Sequence, residues 1–130
     1  MLAFFILGKK SQKGSAPGLV DGRLAACSSK PNCVSSEDDT DAKHKVDPLT
    51  GVSLLDVREA VENMGGVITS SQDGYFSAEF RSNLFKFTDD VEARQDGANV
   101  HIRSASRVGH SDGGVNRKRM AALRTALKAE

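Results

Sequence analysis

The chain has no tryptophan, one tyrosine, three prolines and two cysteines in 130 residues. Aromatic bulk for a core must therefore come from its six phenylalanines. Two cysteines and three scattered histidines do not assemble the roughly four ligands a structural zinc needs, and no metal or cofactor is expected. A Gly-Lys-Ser/Thr phosphate loop, a His-x-x-x-His pair and a calcium loop are all missing, which removes the enzymes those motifs define. The apolar stub Met1–Leu7 is too short to cross a bilayer and lacks the positive residues that precede a signal core. There are no internal repeats. A net charge of +1 rules out a uniformly basic surface, so nucleic acid is not an expected partner.

What is present is segregated. Residues 1–30 carry five Lys/Arg and one Asp, residues 31–102 six Lys/Arg and fourteen acids, and residues 103–130 seven Lys/Arg and two acids. These sum to +4, −8 and +5, an acidic middle facing a basic end, which suggests internal charge complementarity. With 38% apolar residues the chain suits one modest core. Residues 1–17 read as a disordered tail or as the end of a truncated anchor or signal, and 18–130 as one domain. Cys27 and Cys33 bracket Lys30-Pro31-Asn32. That spacing suits a small disulfide loop in an oxidising compartment and equally two free thiols in a reducing one.

Gly and Pro punctuate residues 8–50, so this stretch is expected to be an irregular arm. Ser53 then caps a helix running to about Met64, with Leu54, Val57, Val61 and Met64 on one face and Gly65-Gly66 stopping it. Turn signals divide residues 67–107 into four strands at about 67–72, 75–82, 84–94 and 99–106. With Asp96-Gly97 as a two-residue turn, Ala93 faces Val100 and Val91 faces Ile102 on one side, while Glu92 faces His101 and Asp90 faces Arg103 on the other. With Ser82-Asn83 as the turn before, Phe80 faces Phe85, Ala78 faces Phe87 and Glu79 faces Lys86. A three-residue loop ending at Gly74 keeps Ile68 on the core side. A second helix from Val115 to about Ala129 carries Met120, Leu123, Ala126 and Leu127 on one side, with Ser111 or Asp112 as its cap. The expected fold is α+β: a four-stranded antiparallel meander with two helices on one face, preceded by the irregular arm.

The charged face (Glu79, Lys86, Asp90, Arg103, Arg107) is expected to be a solvated sheet surface. Asp89 is different: its parity puts it on the apolar face, in a row with Phe76 and Ser104. A buried carboxylate needs a partner, expected among residues 103–117.

Residues 103–117, at the corner between the last strand and the second helix, hold three Arg, three Ser, an Asp, an Asn and three Gly. A helix N-terminus with arginines beside it has the parts of an anion site. Against this, Asp112 would occupy that helix end as a cap. The candidate ligand-binding residues are Arg81, Asp89, Asp90, Arg103, Ser104, Arg107, Ser111, Asp112, Asn116 and Arg117; no catalytic residue is assigned. Hydrolysis by Ser104, Ser106 or Ser111 with His101 or His110 lacks a nucleophile-elbow spacing, and the phenylalanines that would stack RNA bases are needed in the core.

Four segments resemble the domain-of-unknown-function family numbered 1499 and come in its order. They are Gly22-Arg-Leu-Ala-Ala-Cys-Ser-Ser-Lys-Pro-Asn-Cys-Val-Ser-Ser36, Ala78-Glu-Phe-Arg-Ser82, Phe87-Thr-Asp-Asp-Val-Glu92 and Arg103-Ser-Ala-Ser-Arg-Val-Gly-His-Ser-Asp-Gly-Gly-Val-Asn-Arg117. The resemblance spans about residues 18–127. His110 stands where Tyr is common, and Ala26 where Pro often precedes the Cys. The resemblance implies an extracytoplasmic, periplasmic or membrane-anchored setting, a segment ahead of the Cys pair that exports or tethers the chain, and an oxidised Cys27–Cys33 pair. It implies no reaction. The expected function is a non-catalytic binding or assembly domain with a polar Arg/Asp/Ser cluster, its partner left open between a protein and a small anionic ligand; the alternative is a small-anion binder or enzyme built on the 103–117 corner.

Overall fold

The computed structural model describes residues 14–82 and 87–128. The stub Met1–Leu7, the expected strand residues 84–86 and the pairings of Phe85 and Lys86 lie outside them. The fold is α+β, with antiparallel strand pairing between the elements of its main sheet and two helices on that sheet's inner face.

The arm is more ordered than its Gly and Pro content suggests. β1 (Leu19–Val20) and β2 (Arg23–Leu24) form a hairpin around Asp21-Gly22, both at positive φ as a tight two-residue turn requires. β3 (Cys33–Ser35) and β4 (Leu49–Thr50) each pair with the last strand, and α1 (Leu54–Asn63) follows. β5 (Val67–Gln72), β6 (Tyr75–Arg81), β7 (Thr88–Asp96) and β8 (Asn99–Ser106) form the meander, and α2 (Val115–Leu127) closes the described chain. The sheet therefore has six strands, ordered β3-β8-β7-β6-β5 with β4 also on β8, rather than four. β8 would otherwise be an edge with a full row of unpaired backbone groups. Segments of two or three residues satisfy those groups but are too short to carry a period-2 signal.

The faces fall as expected, but the pairings slide. β7 and β8 pair Ala93 with Ile102, Val91 with Ser104 and Glu92 with Arg103. The turn is Gly97-Ala98, and only Gly97 has positive φ, the pattern of a II′ turn rather than the I′ turn an Asp-Gly pair suggests. Each partner therefore moves by two residues, which preserves the face. Between β6 and β7 the slide is four residues: Phe80 faces Asp89 and Ala78 faces Val91. β7 starts at Thr88, and Ser82 and Phe87 close the loop through Ser82 N–H to Phe87 O at 2.8 Å and Phe87 N–H to Ser82 Oγ at 2.9 Å. Between β5 and β6 the loop is two residues, not three. A bulge between Ile68 and Ser70 keeps Ile68 opposite Ala78.

Phe76, Ala78, Val91, Ala93, Val100 and Ile102 share the inner face and pack on Val57 and Val61 of α1 and Met120 and Leu123 of α2. Ser53 and Asp56 form a reciprocal capping box on α1, each side chain accepting the other's backbone N–H at 3.1 Å. Gly66 ends the turn after α1 because a Cβ there would stand 2.7 Å from Val61 Cγ1 and 2.9 Å from Phe80 Cζ.

The outer face is where expectation fails most. It is covered rather than solvated: β2 lies against β7 and β8, and Asp90, Glu92 and Arg103 are buried. Glu92 accepts from Gly18 N–H at 3.0 Å and Tyr75 Oη at 2.7 Å, with Arg103 Nη1 at 3.5 Å. Burial pushes the Glu92 carboxyl up, and these three donors oppose that push. Nothing in the arm's local sequence announces the surface it covers.

Candidate functional site

The 103–117 corner runs from β8 across a loop into α2, and its polar groups divide between the two faces of the sheet. On the outer face, Arg107 holds Asp90 bidentately, both bonds at 2.8 Å, and reaches Glu79 Oε2 at 2.8 Å. Glu79 and Asp90 sit directly opposite each other on β6 and β7. Two like charges there would repel, and the guanidinium between them removes that cost. Arg103 donates to Ala25 O at 2.8 Å and Ala26 O at 3.4 Å besides facing Glu92.

On the inner face the centre is Asn116, fully buried in the first turn of α2. Its Nδ2 donates to Asp112 Oδ2 at 2.8 Å, Ser106 Oγ at 3.0 Å and Asn32 O at 3.2 Å, and its Oδ1 accepts from Ser104 Oγ at 2.6 Å. The N-cap position of α2 is Gly114, in the left-handed region, rather than Ser111 or Asp112; Asp112, two residues earlier, accepts backbone N–H groups from Gly114 at 2.7 Å and from Asn116, in the first turn, at 3.2 Å. Burial raises the Asp112 carboxyl, but the Asn116 side chain and these two N–H donors outweigh it and hold the group below its ordinary range. Ser111 is exposed and accepts from Gly113 N–H at 3.3 Å. Arg117 turns to the carbonyls of Lys43 at 2.9 Å and Lys45 at 3.0 Å.

Asp89 is buried, but its partner lies outside 103–117. Arg119 Nη2 donates to Asp89 Oδ2 at 2.9 Å, while Nη1 reaches Asn116 Oδ1 at 2.8 Å and Ser104 Oγ at 3.2 Å. The guanidinium also stacks 4.6 Å over the Phe80 ring. Asp89 sits opposite Phe80 and Ser106, not in a row with Phe76 and Ser104. The pair does join the sheet to α2. Arg119 was the residue to find from sequence: it lies three positions after Asn116, hence on the same flank of the helix.

These elements border an open cleft of about 650 Å³. Phe80, Phe87, Val108 and Val115 supply its apolar lining, and Val115 remains 42% exposed. Asp89 and Arg119 line its buried part, with Arg81, His110, Ser111 and Asp112 also at the cleft. Arg81 is half-exposed and contacts Glu79 Oε1 at 3.3 Å. The structure thus brings Arg81, Asp89, Ser111 and Asp112 to one cleft. It places Ser104 and Asn116 in the network behind, and Asp90, Arg103 and Arg107 on the opposite face of the sheet.

Two further features bear on chemistry. Ser36 Oγ lies 2.9 Å from His101 Nδ1, and His101 Nε2 lies 3.3 Å from Asp96, an arrangement like a hydrolytic triad. Ser36 is fully buried and its hydroxyl accepts Ile102 N–H at 2.9 Å, so this trio fastens the chain after β3 to β8. Among the described residues no group of three or more His, Cys, Asp or Glu converges as metal ligands, and no helix is long and apolar enough to cross a membrane.

Cys27 and Cys33 are joined as a disulfide. No curated protein matches the chain. The model of the family described as "Protein of unknown function (DUF1499)" matches residues 23–127, from β2 through the Cys pair, the whole sheet and both helices. A match from the arm to the end of α2 takes in every part of the cleft, and the chain belongs to the DUF1499 family.

Proposed function

We propose that the chain is a non-catalytic binding domain of an oxidising, extracytoplasmic compartment, and that the cleft between β6, β7 and the corner is its ligand site, taking an apolar group. The observation that carries this reading is the contrast between lining and arginines. The cleft is lined by Phe80, Phe87, Val108 and Val115, while Arg103, Arg107 and Arg117 already hold carboxylates or carbonyls of the chain itself. A small anion would have to detach a guanidinium from an acceptor it already has, whereas an apolar group gains about 25 cal/mol for each Å² it removes from water. Ligand sites are commonly apolar concavities with a few polar groups that set orientation; here those groups are the Asp89–Arg119 pair and Arg81. The Cys27–Cys33 disulfide supports the compartment, since such bonds persist where the surroundings oxidise. Association with a membrane through an N-terminal segment belongs to the same proposal.

The test is a fluorescence titration with the neutral apolar probe N-phenyl-1-naphthylamine, alongside amide chemical shifts and a parallel titration with inorganic phosphate. Saturable probe binding with shifts confined to residues 80–82, 87–89 and 106–115 is expected, weakened at least tenfold by Val115→Asp, since about 1.4 kcal/mol accompanies each tenfold change. Val115 is exposed enough for the fold to accept the charge. Phosphate shifts at the corner without probe binding would instead establish the anion reading.

A further inference from the structure

We infer that the Cys27–Cys33 disulfide is a redox clamp on the cleft, acting through Asn32; the inference rests on the reading of the cleft as a ligand site. Asn32 directly precedes Cys33 and is buried. Its carbonyl accepts Ser106 N–H at 2.9 Å and Asn116 Nδ2 at 3.2 Å, and its Nδ2 donates to Gly109 O at 2.9 Å. Ser106 and Gly109 line the cleft, and Asn116 holds two more lining residues, Asp112 and Arg119. One side chain and one carbonyl thus tie the end of β8, the corner loop and the first turn of α2 together.

Asn32 itself is held from two directions. On one side β3 continues from Cys33, paired with Ala105. On the other, the loop 28–31 returns to the arm at Cys27, and the disulfide closes that loop. Cutting the bond removes the covalent tie between Asn32 and the arm and leaves the Lys30 carbonyl, 3.0 Å from His44 Nε2, as the contact on that side. A short closed loop has few conformations and an open one has many, so the bond to Gly109 is the first to suffer. Ser106 N–H follows, at the frayed end of the β3–β8 pairing.

The chemistry is a thiol–disulfide exchange with a dithiol reductant. Its first thiolate attacks sulfur of Cys27, the more exposed cysteine, and the buried Cys33 leaves as thiolate. The reductant's second thiolate then displaces Cys27. The reductant ends as a disulfide, and two protons end on the two cysteines. Oxidation by a disulfide donor reverses each step and re-forms the clamp.

The experiment compares the full chain oxidised, reduced with dithiothreitol, and as oxidised Asn32→Ala, by hydrogen exchange at single amides and by N-phenyl-1-naphthylamine titration. Reduction is expected to speed exchange at Ser106 at least tenfold and to weaken probe binding by a similar factor, with Val91 and Ala93 in the sheet centre unchanged. Asn32→Ala keeps the carbonyl that Ser106 and Asn116 use and removes the Nδ2 bond to Gly109, so it is expected to weaken probe binding with the disulfide intact and to leave exchange at Ser106 as in the wild type. Unchanged exchange at Ser106 on reduction overturns the clamp. So does equal acceleration at Val91, which would mean that the bond holds the whole sheet, and so does an Asn32→Ala chain that binds the probe as the wild type does. If no form binds the probe, the ligand-site reading fails while the exchange data still decide whether the disulfide clamps the corner.

Discussion

Glu37 joins the arm to the sheet, and replacing it with Gln tests how much of the fold that junction carries. Its carboxylate is 2% exposed and accepts Leu24 N–H at 2.8 Å, Arg94 Nε at 2.6 Å and Arg94 Nη2 at 2.7 Å. Burial alone would raise the group, yet the Arg94 fork and the Leu24 N–H outweigh it and bring it from 4.5 to about 2. Because the folded value lies below the unfolded one, the stabilisation is full above pH 4.5 and is lost as pH falls toward 2. A shift of that size corresponds to about 3 kcal/mol at neutral pH. Glu37→Gln keeps the size and an acceptor for Leu24 but leaves the Arg94 fork facing an amide. Urea denaturation followed by far-UV circular dichroism is expected to show the variant about 3 kcal/mol less stable at pH 7, on the order of 10 °C in Tm. At pH 3 the gap should shrink to about 1 kcal/mol, because the wild type has by then lost most of the same interaction. A gap below about 1 kcal/mol at pH 7, or one that stays constant down to pH 3, would refute the reasoning.

Asp89→Ala removes the carboxylate that neutralises the largely buried Arg119 guanidinium and is expected to cost about 3–5 kcal/mol in urea denaturation, with Asp89→Asn costing less. An unchanged Tm would mean the pair contributes nothing to the fold. His44 is held above its ordinary value by the Asp41 carboxylate at 2.7 Å and by the Lys30 carbonyl. Its contribution is therefore present below pH 6.5 and fades as pH rises through the folded value, so melting between pH 6 and pH 8 should fall in the wild type and fall less in His44→Gln.

Much of the candidate site was legible in local chemistry. Asp112 two residues before Gly114, with a serine and glycines around it, announces a helix end, and its carboxylate accepts the Asn116 N–H in the first turn of α2, although the N-cap position itself is Gly114. The parity of Asp89 in a strand of alternating apolar residues forces it inward, and it is buried there. Which cation met it was not legible, because Arg107, Arg117 and Arg119 are equivalent by type and only the approach of α2 to β7 chooses among them. The apolar lining of the cleft was hidden for a similar reason. Phe80 and Phe87 read as ordinary core residues, and Val108 and Val115 as loop and helix residues, until the corner brings them to one hollow.

By itself the amino-acid order determined which side of each strand faces the helices, where both helices begin, and that an acid would be buried at position 89. These follow from interactions within a few residues: the two-residue pleat, the capping of N–H groups, and the cost of placing a carboxylate among apolar neighbours. Tertiary structure alone decided the pairing offsets, the two extra strands on β8 and the burial of the outer charged face. Sliding a strand by two residues preserves every local preference, so the turn conformation at Gly97 and the closure between Ser82 and Phe87 choose among registers that the pattern leaves equivalent. The arm's place over Glu92 and Arg103 depends on contacts from chain more than sixty residues away, which no local pattern encodes.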